Sequence, residues 1–301
     1  MLPFFFNGLL LTGAFIMRVQ ADIPIRIISH NIRYATTSPF TGEKPWTDRK
    51  ALLINELKYD TLYNAEAFVC LQEVLNAQLT DVMGGLGSDW DYIGVGRDDG
   101  KKAGEYSPII FRKAVWEVDT WKTVWLSETP DKPGSKGWDA ASVRIVTVGT
   151  FVHQPSKQKV VGMCTHLDDQ GATSRTESAK LILKVANETI HNSTASTPLP
   201  VFLGGDLNSE PSGSAYQILN GKNSALQVVK EMAPWRYGNV KTFTGFQESD
   251  AKTELDHVFV NRRAGTWEAK GFAVLPNKFD DLIYASDHRA VVGDVVLKVQ
   301  T

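Results

Sequence analysis

The chain has little cysteine: Cys70 and Cys164 are the only two among 301 residues. A disulfide framework therefore cannot hold the fold. With no Cys-x-x-Cys pair and no two histidines at helix spacing, a zinc site is a poor match. Both cysteines sit in apolar, strand-like runs, so two buried free thiols is the reading, with a single disulfide the alternative. An excess of charge of either sign is also missing, since 32 basic and 34 acidic residues leave a net charge of −2. A surface that coats nucleic acid would be basic, which leaves only a single strand entering a local cleft. No Gly-x-Ser-x-Gly elbow occurs, and this sets aside a serine hydrolase of that kind. Repeats, heptads and long low-complexity tracts are absent.

Long apolar runs are missing too, apart from one at the start. Leu2 to Met17 is almost wholly apolar, and Val19-Gln20-Ala21 follows with a small-x-small pattern. Although no Lys or Arg precedes the run, this reads as a secretory signal peptide over residues 1–21. The alternative is a retained membrane anchor, but the run falls short of the roughly 20 residues a spanning helix needs. Cleavage would leave residues 22–301 as one secreted, extracellular domain, and losing Arg18 would move the net charge to −3. Asn187-Glu188-Thr189 and Asn192-Ser193-Thr194 are N-glycosylation sequons, expected on the surface of a glycoprotein.

What is present is a series of short apolar runs with the length of strands. They cover Ile23 to Ile28, Ala67 to Leu71, Tyr92 to Val95, Ser107 to Phe111, Val143 to Val152, Lys159 to Met163, Val201 to Leu203, Leu255 to Val260, Gly271 to Leu275 and Ala290 to Leu297. The Val201 strand is expected to stop at Gly204-Gly205. Helices are expected from about Thr47 to Leu62, from Asn76 as a cap, and from a capping box of Ser174 with Glu177. Thr129 to Trp138 reads as a loop. No shift in composition marks a boundary. One domain of two packed sheets with helices outside accounts for the pattern.

The polar residues at the strand ends carry the chemistry. Asn31, Glu73, His166, Asp206 and Asn208 each follow an apolar strand; Asp256 interrupts the start of one, and Asp287 and His288 precede another. In a layered sheet such positions can converge on one rim. This set suits phosphoester hydrolysis with a hard cation. Mg²⁺ takes oxygen ligands, typically one or two carboxylates plus substrate phosphate. Glu73 is the best carboxylate ligand, with Asp287 second and Asn31 offering an amide oxygen. Asp206 would orient or deprotonate the attacking water. His166 and Asn208 would hold phosphate oxygens, and His288, oriented by Asp256, would act as acid–base or hydrogen-bond donor. Asp206 and Asn208 share a side if the chain stays extended.

Six motifs occur in a telling order: His-Asn-Ile (His30–Ile32), Leu-Gln-Glu (Leu71–Glu73), Thr-His-Leu-Asp (Thr165–Asp168), Gly-Asp-Leu-Asn-Ser (Gly205–Ser209), Leu-Asp-His-Val-Phe-Val (Leu255–Val260) and Ser-Asp-His (Ser286–His288). In this order the chain resembles the endonuclease/exonuclease/phosphatase superfamily, from about Asp22 to the C-terminus. Trp46-Thr47-Asp48-Arg49, Gly94 to Gly100, Gly104 to Pro108, Trp125 to Pro130 and Gly134 to Asp139 look like a subgroup of metal-dependent hydrolases within it. The resemblance implies an α+β fold, a four-layer αββα sandwich of two packed mixed β-sheets flanked by helices (DNase I-like). It also implies Mg²⁺ or Mn²⁺ dependence and in-line attack of water on phosphorus without a covalent intermediate. The site residues carried over are Glu73, Asn31 and Asp287 at the metal, with His166, Asp206, Asn208, Asp256 and His288 in catalysis. Glu105 and Tyr106 fall where relatives place phosphate-side contacts. One departure is Arg33, where AP endonucleases carry an acid; this weakens a second metal site.

Arg97 and Lys136 are either substrate-phosphate ligands or ordinary loop charges, and Trp125 and Trp138 either pack or wall a pocket. Nucleic acid, a phospholipid headgroup and a small phosphorylated molecule all remain as the phosphoester substrate. No obligate protein partner is expected. The alternative to an enzyme is a non-catalytic binding protein on the same scaffold.

Overall fold

A computed structural model describes residues 21–191, 198–263 and 265–298. The expected leader, apart from Ala21, and the sequon asparagine at 192 lie outside the described residues. The strands are β1 (Ile23–Asn31), β2 (Phe68–Gln72), β3 (Trp90–Ile93), β4 (Ile109–Arg112), β5 (Trp116–Trp125), β6 (Ile145–His153), β7 (Lys159–His166), β8 (Val201–Asp206), β9 (Leu226–Val228), β10 (Arg236–Gly238), β11 (Asp256–Asn261), β12 (Trp267–Val274) and β13 (Val291–Leu297). The helices are α1 (Trp46–Thr61), α2 (Asn76–Leu86), α3 (Ala172–His191), α4 (Ser214–Asn220) and α5 (Val229–Met232).

The strands form two mixed sheets, one of seven in the order β10-β12-β13-β1-β2-β4-β3 and one of six in the order β5-β6-β7-β8-β11-β9. Alternation along each strand sends one set of side chains between the sheets and the other outward to the helices. Ile25 and Ile27 of β1 join Phe68, Phe151, Phe202 and Val258 in the middle layer. There the Phe68 ring lies 4.8 Å from Phe202 and 4.9 Å from Phe151. Ile28, Val69 and Leu71 face the other way, onto Leu53 and Leu57 of α1 and Leu79 and Val82 of α2. Val161, Met163 and Leu203 meet Ala179, Ile182 and Ala186 of α3 and Leu219 of α4. The result is the four-layer αββα arrangement expected above. No helix of the described residues is long and apolar enough to cross a membrane.

Register then places the polar strand ends. β7 and β8 run parallel with His166 opposite Asp206, and β11 runs antiparallel to β8 with Asp256 opposite Asp206. In the other sheet β1 and β2 run parallel with Asn31 opposite Gln72, which puts Glu73 one residue past the strand.

Three local expectations are corrected, and one strand is new. β8 does not stop at the two glycines but runs through them to Asp206. A Cβ at Gly204 would lie 3.0 Å from Cys70 Cβ and 3.0 Å from its Sγ, so glycine here permits close approach of the sheets rather than a turn. The capping box at Ser174 does not form. The Ser174 and Thr173 backbone N–H groups donate instead to Asp139, 2.6 and 3.1 Å away, a cap supplied from a distant loop. Asn76 is the first residue of α2, not its cap; Leu75 N–H donates to Gln78 Oε1 at 3.3 Å. Finally, β5 was not anticipated. It is a mostly exposed edge strand, so its residues lack the apolar alternation that marks a half-buried one.

Candidate active site

The strand ends of the two sheets meet at one rim, around Asp206. Asn31 Nδ2 donates to Asp206 Oδ2 and to Glu73 Oε1, both at 3.0 Å, and so ties the two sheets together through their carboxylates. Its Oδ1 accepts from Arg33 N–H at 3.0 Å. In this orientation the amide braces the two acids instead of offering its oxygen to an ion. His166 Nε2 and His288 Nε2 lie 3.5 and 3.7 Å from the same Asp206 oxygen. His288 Nδ1 is 2.8 Å from Asp256 Oδ2. Residues 31, 73, 166, 206, 256 and 288, dispersed along the chain, thus share one cluster of hydrogen bonds and close charge contacts.

Three residues at this rim hold a left-handed backbone: Arg33 at φ 55°, Glu73 at φ 61° and Asn208 at φ 44°. Outside glycine such angles are uncommon, and each costs on the order of 1–3 kcal/mol unless its surroundings enforce it. At Glu73 the turn brings Oε2 within 3.1 Å of Tyr34 N–H. At Asn208 it ends the extended course on which the same-side expectation depended. Asp206 Oδ1 accepts from Asn208 N–H at 2.8 Å, a local turn that still returns Asn208 to the pocket. Asn208 Nδ2 donates to Leu167 O at 2.9 Å and lies 3.1 Å from His166 Nε2, so it also fixes that ring.

Burial and neighbours set the charges. Burial lowers His166 to about 4, with Arg144 adding and Asp206 opposing, so the ring is neutral at pH 7. Burial also works against a charged His288, but the Asp256 and Asp206 carboxylates outweigh it and hold the imidazole well above its ordinary range. His288 is therefore a cation between two acids. Burial, with the Asp256 charge, raises Asp206. Burial pushes Asp287 up to about 6, with His288 opposing and Glu73 adding. The backbone carrying this pair is pinned from several sides. His30 Nε2 approaches His288 O at 3.3 Å, Ser286 Oγ donates to Asn31 O at 2.6 Å, and Thr244 N–H donates to Asp287 O at 2.7 Å.

These groups line a cavity of about 920 Å³. Glu73, Glu105, Arg97, His166, Asp206, Asn208, Asp287 and His288 all reach its wall. Asn31 and Asp256 stand behind it, each bonded to a residue that does. Tyr106 does not belong there. It is buried, and its hydroxyl donates to Lys101 O at 2.9 Å and Asn76 Oδ1 at 3.1 Å, so it packs the β3–β4 loop. Arg97 donates to Glu105 Oε2 at 2.7 Å, which neutralises both within the wall. Trp125 is a packing residue whose Nε1 donates to Arg97 O at 2.7 Å. Lys136 is exposed and outside the cavity lining.

The oxygen donors fit a hard divalent cation. Glu73 and Asp287 are two carboxylates at one cavity wall whose charges repel, a cost that a cation between them would offset. Asp206, Asp256 and His288 also bring one donor atom each within 4.8 Å of one another. That space already holds His288, whose charge the two acids favour, and so suits an ion less.

Arg144 was assigned no role from sequence, yet it is buried at the cavity wall. Asp168 Oδ2 accepts from its Nε at 3.1 Å, and Asp169 Oδ1 from its Nη2 at 2.7 Å.

Comparison with known proteins agrees with this geometry. A model of the Endonuclease/Exonuclease/phosphatase family matches residues 28–288. No curated protein matches significantly. Among solved structures, an endonuclease/exonuclease/phosphatase from Bacteroides vulgatus is 30% identical, with a TM-score of 0.80 over 91% of this chain and 99% of that one. The mannosyl-6-phosphatase of Bacteroides thetaiotaomicron is also 30% identical, with a TM-score of 0.80 over 91% of this chain and 100% of that one. TDP2 of D. rerio, complexed with a single-strand DNA product, is 17% identical with a TM-score of 0.67 over 90% and 98%, and shares the fold. Phosphoester hydrolysis is the activity that this kinship supports. The chain belongs to the endonuclease/exonuclease/phosphatase family.

Proposed function

We propose that the protein is a secreted, Mg²⁺- or Mn²⁺-dependent hydrolase of small phosphomonoesters, with phosphorylated sugars the first substrates to test. The observation that carries the reading is Asp206, a buried carboxylate within 3.0–3.7 Å of Asn31, His166 and His288 at the wall of the cavity. Beside it the wall offers a cation, a neutral imidazole and further carboxylates to one small volume. Two observations favour a small monoester over a nucleic-acid strand. Arg33, Arg97 and Arg144, which line the cavity, are each already paired with an acid, which leaves no free guanidinium for the backbone of a polyanion. The mannosyl-6-phosphatase is more similar to this chain than TDP2 is. Removal of residues 1–21 and export are part of the proposal and rest on the sequence pattern alone.

Glu73 and Asp287 would hold the metal, with Asn31 fixing Glu73. When bound, the ion supplies positive charge for the phosphoryl oxygens or the leaving group. Asp206 orients a water for in-line attack and takes its proton. His288, kept cationic by Asp256, donates hydrogen bonds to the phosphoryl oxygens as negative charge builds on them. His166, neutral and held by Asn208, contacts the same group through hydrogen bonding. Arg97 is already paired with Glu105 and contributes to the wall rather than as a free charge.

Hydrolysis of mannose 6-phosphate and of a generic phosphodiester, with Mg²⁺ and with EDTA, tests the reading. Activity on the monoester that EDTA removes and metal restores is expected. Asp206→Asn and Glu73→Gln should each lower the rate by roughly 10²–10⁴. Variants as active as the parent would remove the assignment.

A further inference from the structure

The cavity is also lined by guanidinium groups to which the chemistry above assigns no catalytic step. Three arginines line it, and each is already ion-paired: Arg33 with Glu43 at 3.2 Å, Arg97 with Glu105 at 2.7 Å, and Arg144 with Asp168 at 3.1 Å and Asp169 at 2.7 Å. Among the described residues no lysine lines the cavity. A second anionic group on a substrate would find no uncommitted guanidinium there.

The Arg144–Asp169 pair differs from the other two. Asp168 is buried and accepts from the backbone N–H groups of Ala141, Ser142, Gln170 and Gly171 as well as from Arg144. That network anchors Arg144, the residue just before β6, to Asp168, two residues beyond the end of β7 where His166 stands, and so sets its place relative to the phosphoryl site. Asp169 bonds the outer face of the same guanidinium yet keeps 51% of its side chain exposed. An exposed acid and a fixed guanidinium side by side offer an acceptor and donors at a set spacing. Adjacent hydroxyl groups, which both donate and accept, match such a fork.

The geometry points to Arg144 and Asp169 as the residues that read the leaving group, selecting an uncharged, hydroxyl-rich group and disfavouring one with a second anion. The inference rests on the functional reading above. A phosphate ester without hydroxyl groups gains nothing from the fork. A bisphosphate meets the Asp169 carboxylate, since Arg144 is neutralised.

The test compares kcat/KM for mannose 6-phosphate, p-nitrophenyl phosphate and fructose 1,6-bisphosphate in the metal-loaded parent, Asp169→Asn and Asp169→Ala. In both variants the ratio of mannose 6-phosphate to p-nitrophenyl phosphate should fall, by about tenfold or more for alanine. The ratio of bisphosphate to p-nitrophenyl phosphate should rise, because Arg144, still held by Asp168, then loses the competing Asp169 carboxylate beside it. A purely structural role would lower all three rates together and leave both ratios in place, which would overturn the inference. A parent active on all three esters with unchanged ratios in the variants would do the same while sparing the functional reading. A parent inert on every ester with metal present would overturn the functional reading, and the inference with it.

Discussion

Two groups of carboxylates that burial perturbs look alike by charge and differ in what surrounds them. At the rim, Asp206, Asp256 and Asp287 face imidazoles, an amide and a cavity. On α1, Glu56 and Asp60 stand one turn apart, and Glu56 Oε1 and Asp60 Oδ2 find no hydrogen-bond partner among the described residues. Burial, with the charge of Asp60 adding, pushes Glu56 up to about 8. Burial pushes Asp60 up to about 6, with Arg26 opposing. Both regions carry perturbed acids, yet only one opens onto a cavity and pairs its acids with groups that can move a proton. A shifted pKa marks a functional site only where such geometry accompanies it. On α1 the same physics yields shifted carboxyls that merely tolerate their surroundings.

The largest contrast is in activity. Asp256→Ala removes the charge that keeps His288 cationic and should cut kcat by about 10²–10³, whereas Glu56→Gln should retain parental kcat. Steady-state kinetics on both variants checks this, and a matching loss in Glu56→Gln would erase the distinction. Stability should show the reverse pattern. Glu56 has a folded pKa above its unfolded value, so its contribution is complete below about pH 4.5 and is lost as the pH rises toward 8. Thermal melts from pH 5 to 8 should record a decline of about 2 kcal/mol that Glu56→Gln flattens. Gly204→Ala should cost about 1–3 kcal/mol by forcing a methyl group against Cys70 between the sheets, measured by denaturant unfolding. The smallest effect belongs to Tyr106→Phe. Losing its two hydrogen bonds should cost about 1 kcal/mol of stability and leave KM at the parental value.

Much of the rim was legible before any coordinates. Glu73, His166, Asp206, Asn208 and His288 each adjoin an apolar strand, and strand ends of a layered sheet share an edge. Tyr106 misled because its neighbour Glu105 does reach the cavity. In an extended segment adjacent side chains point to opposite faces, and nothing local says which face is the cavity. Arg144 was missed for the opposite reason. Its partners are 24 and 25 residues away, and a lone arginine before an apolar run carries no sign of them. The α3 cap failed likewise: a local pair, Ser174 with Glu177, was outcompeted by Asp139 from across a loop.

Residue order alone established the period of the apolar runs, the acids and imidazoles that end them, and hence the family and the general chemistry. Those properties are local, because alternation and strand termination depend on near neighbours. Tertiary structure decided which residue faces which: that Asn31 braces Glu73 and Asp206, that His288 is a cation while His166 is neutral, and that every cavity arginine is already paired. Such facts depend on register between strands and on burial, and both arise only when distant segments pack together.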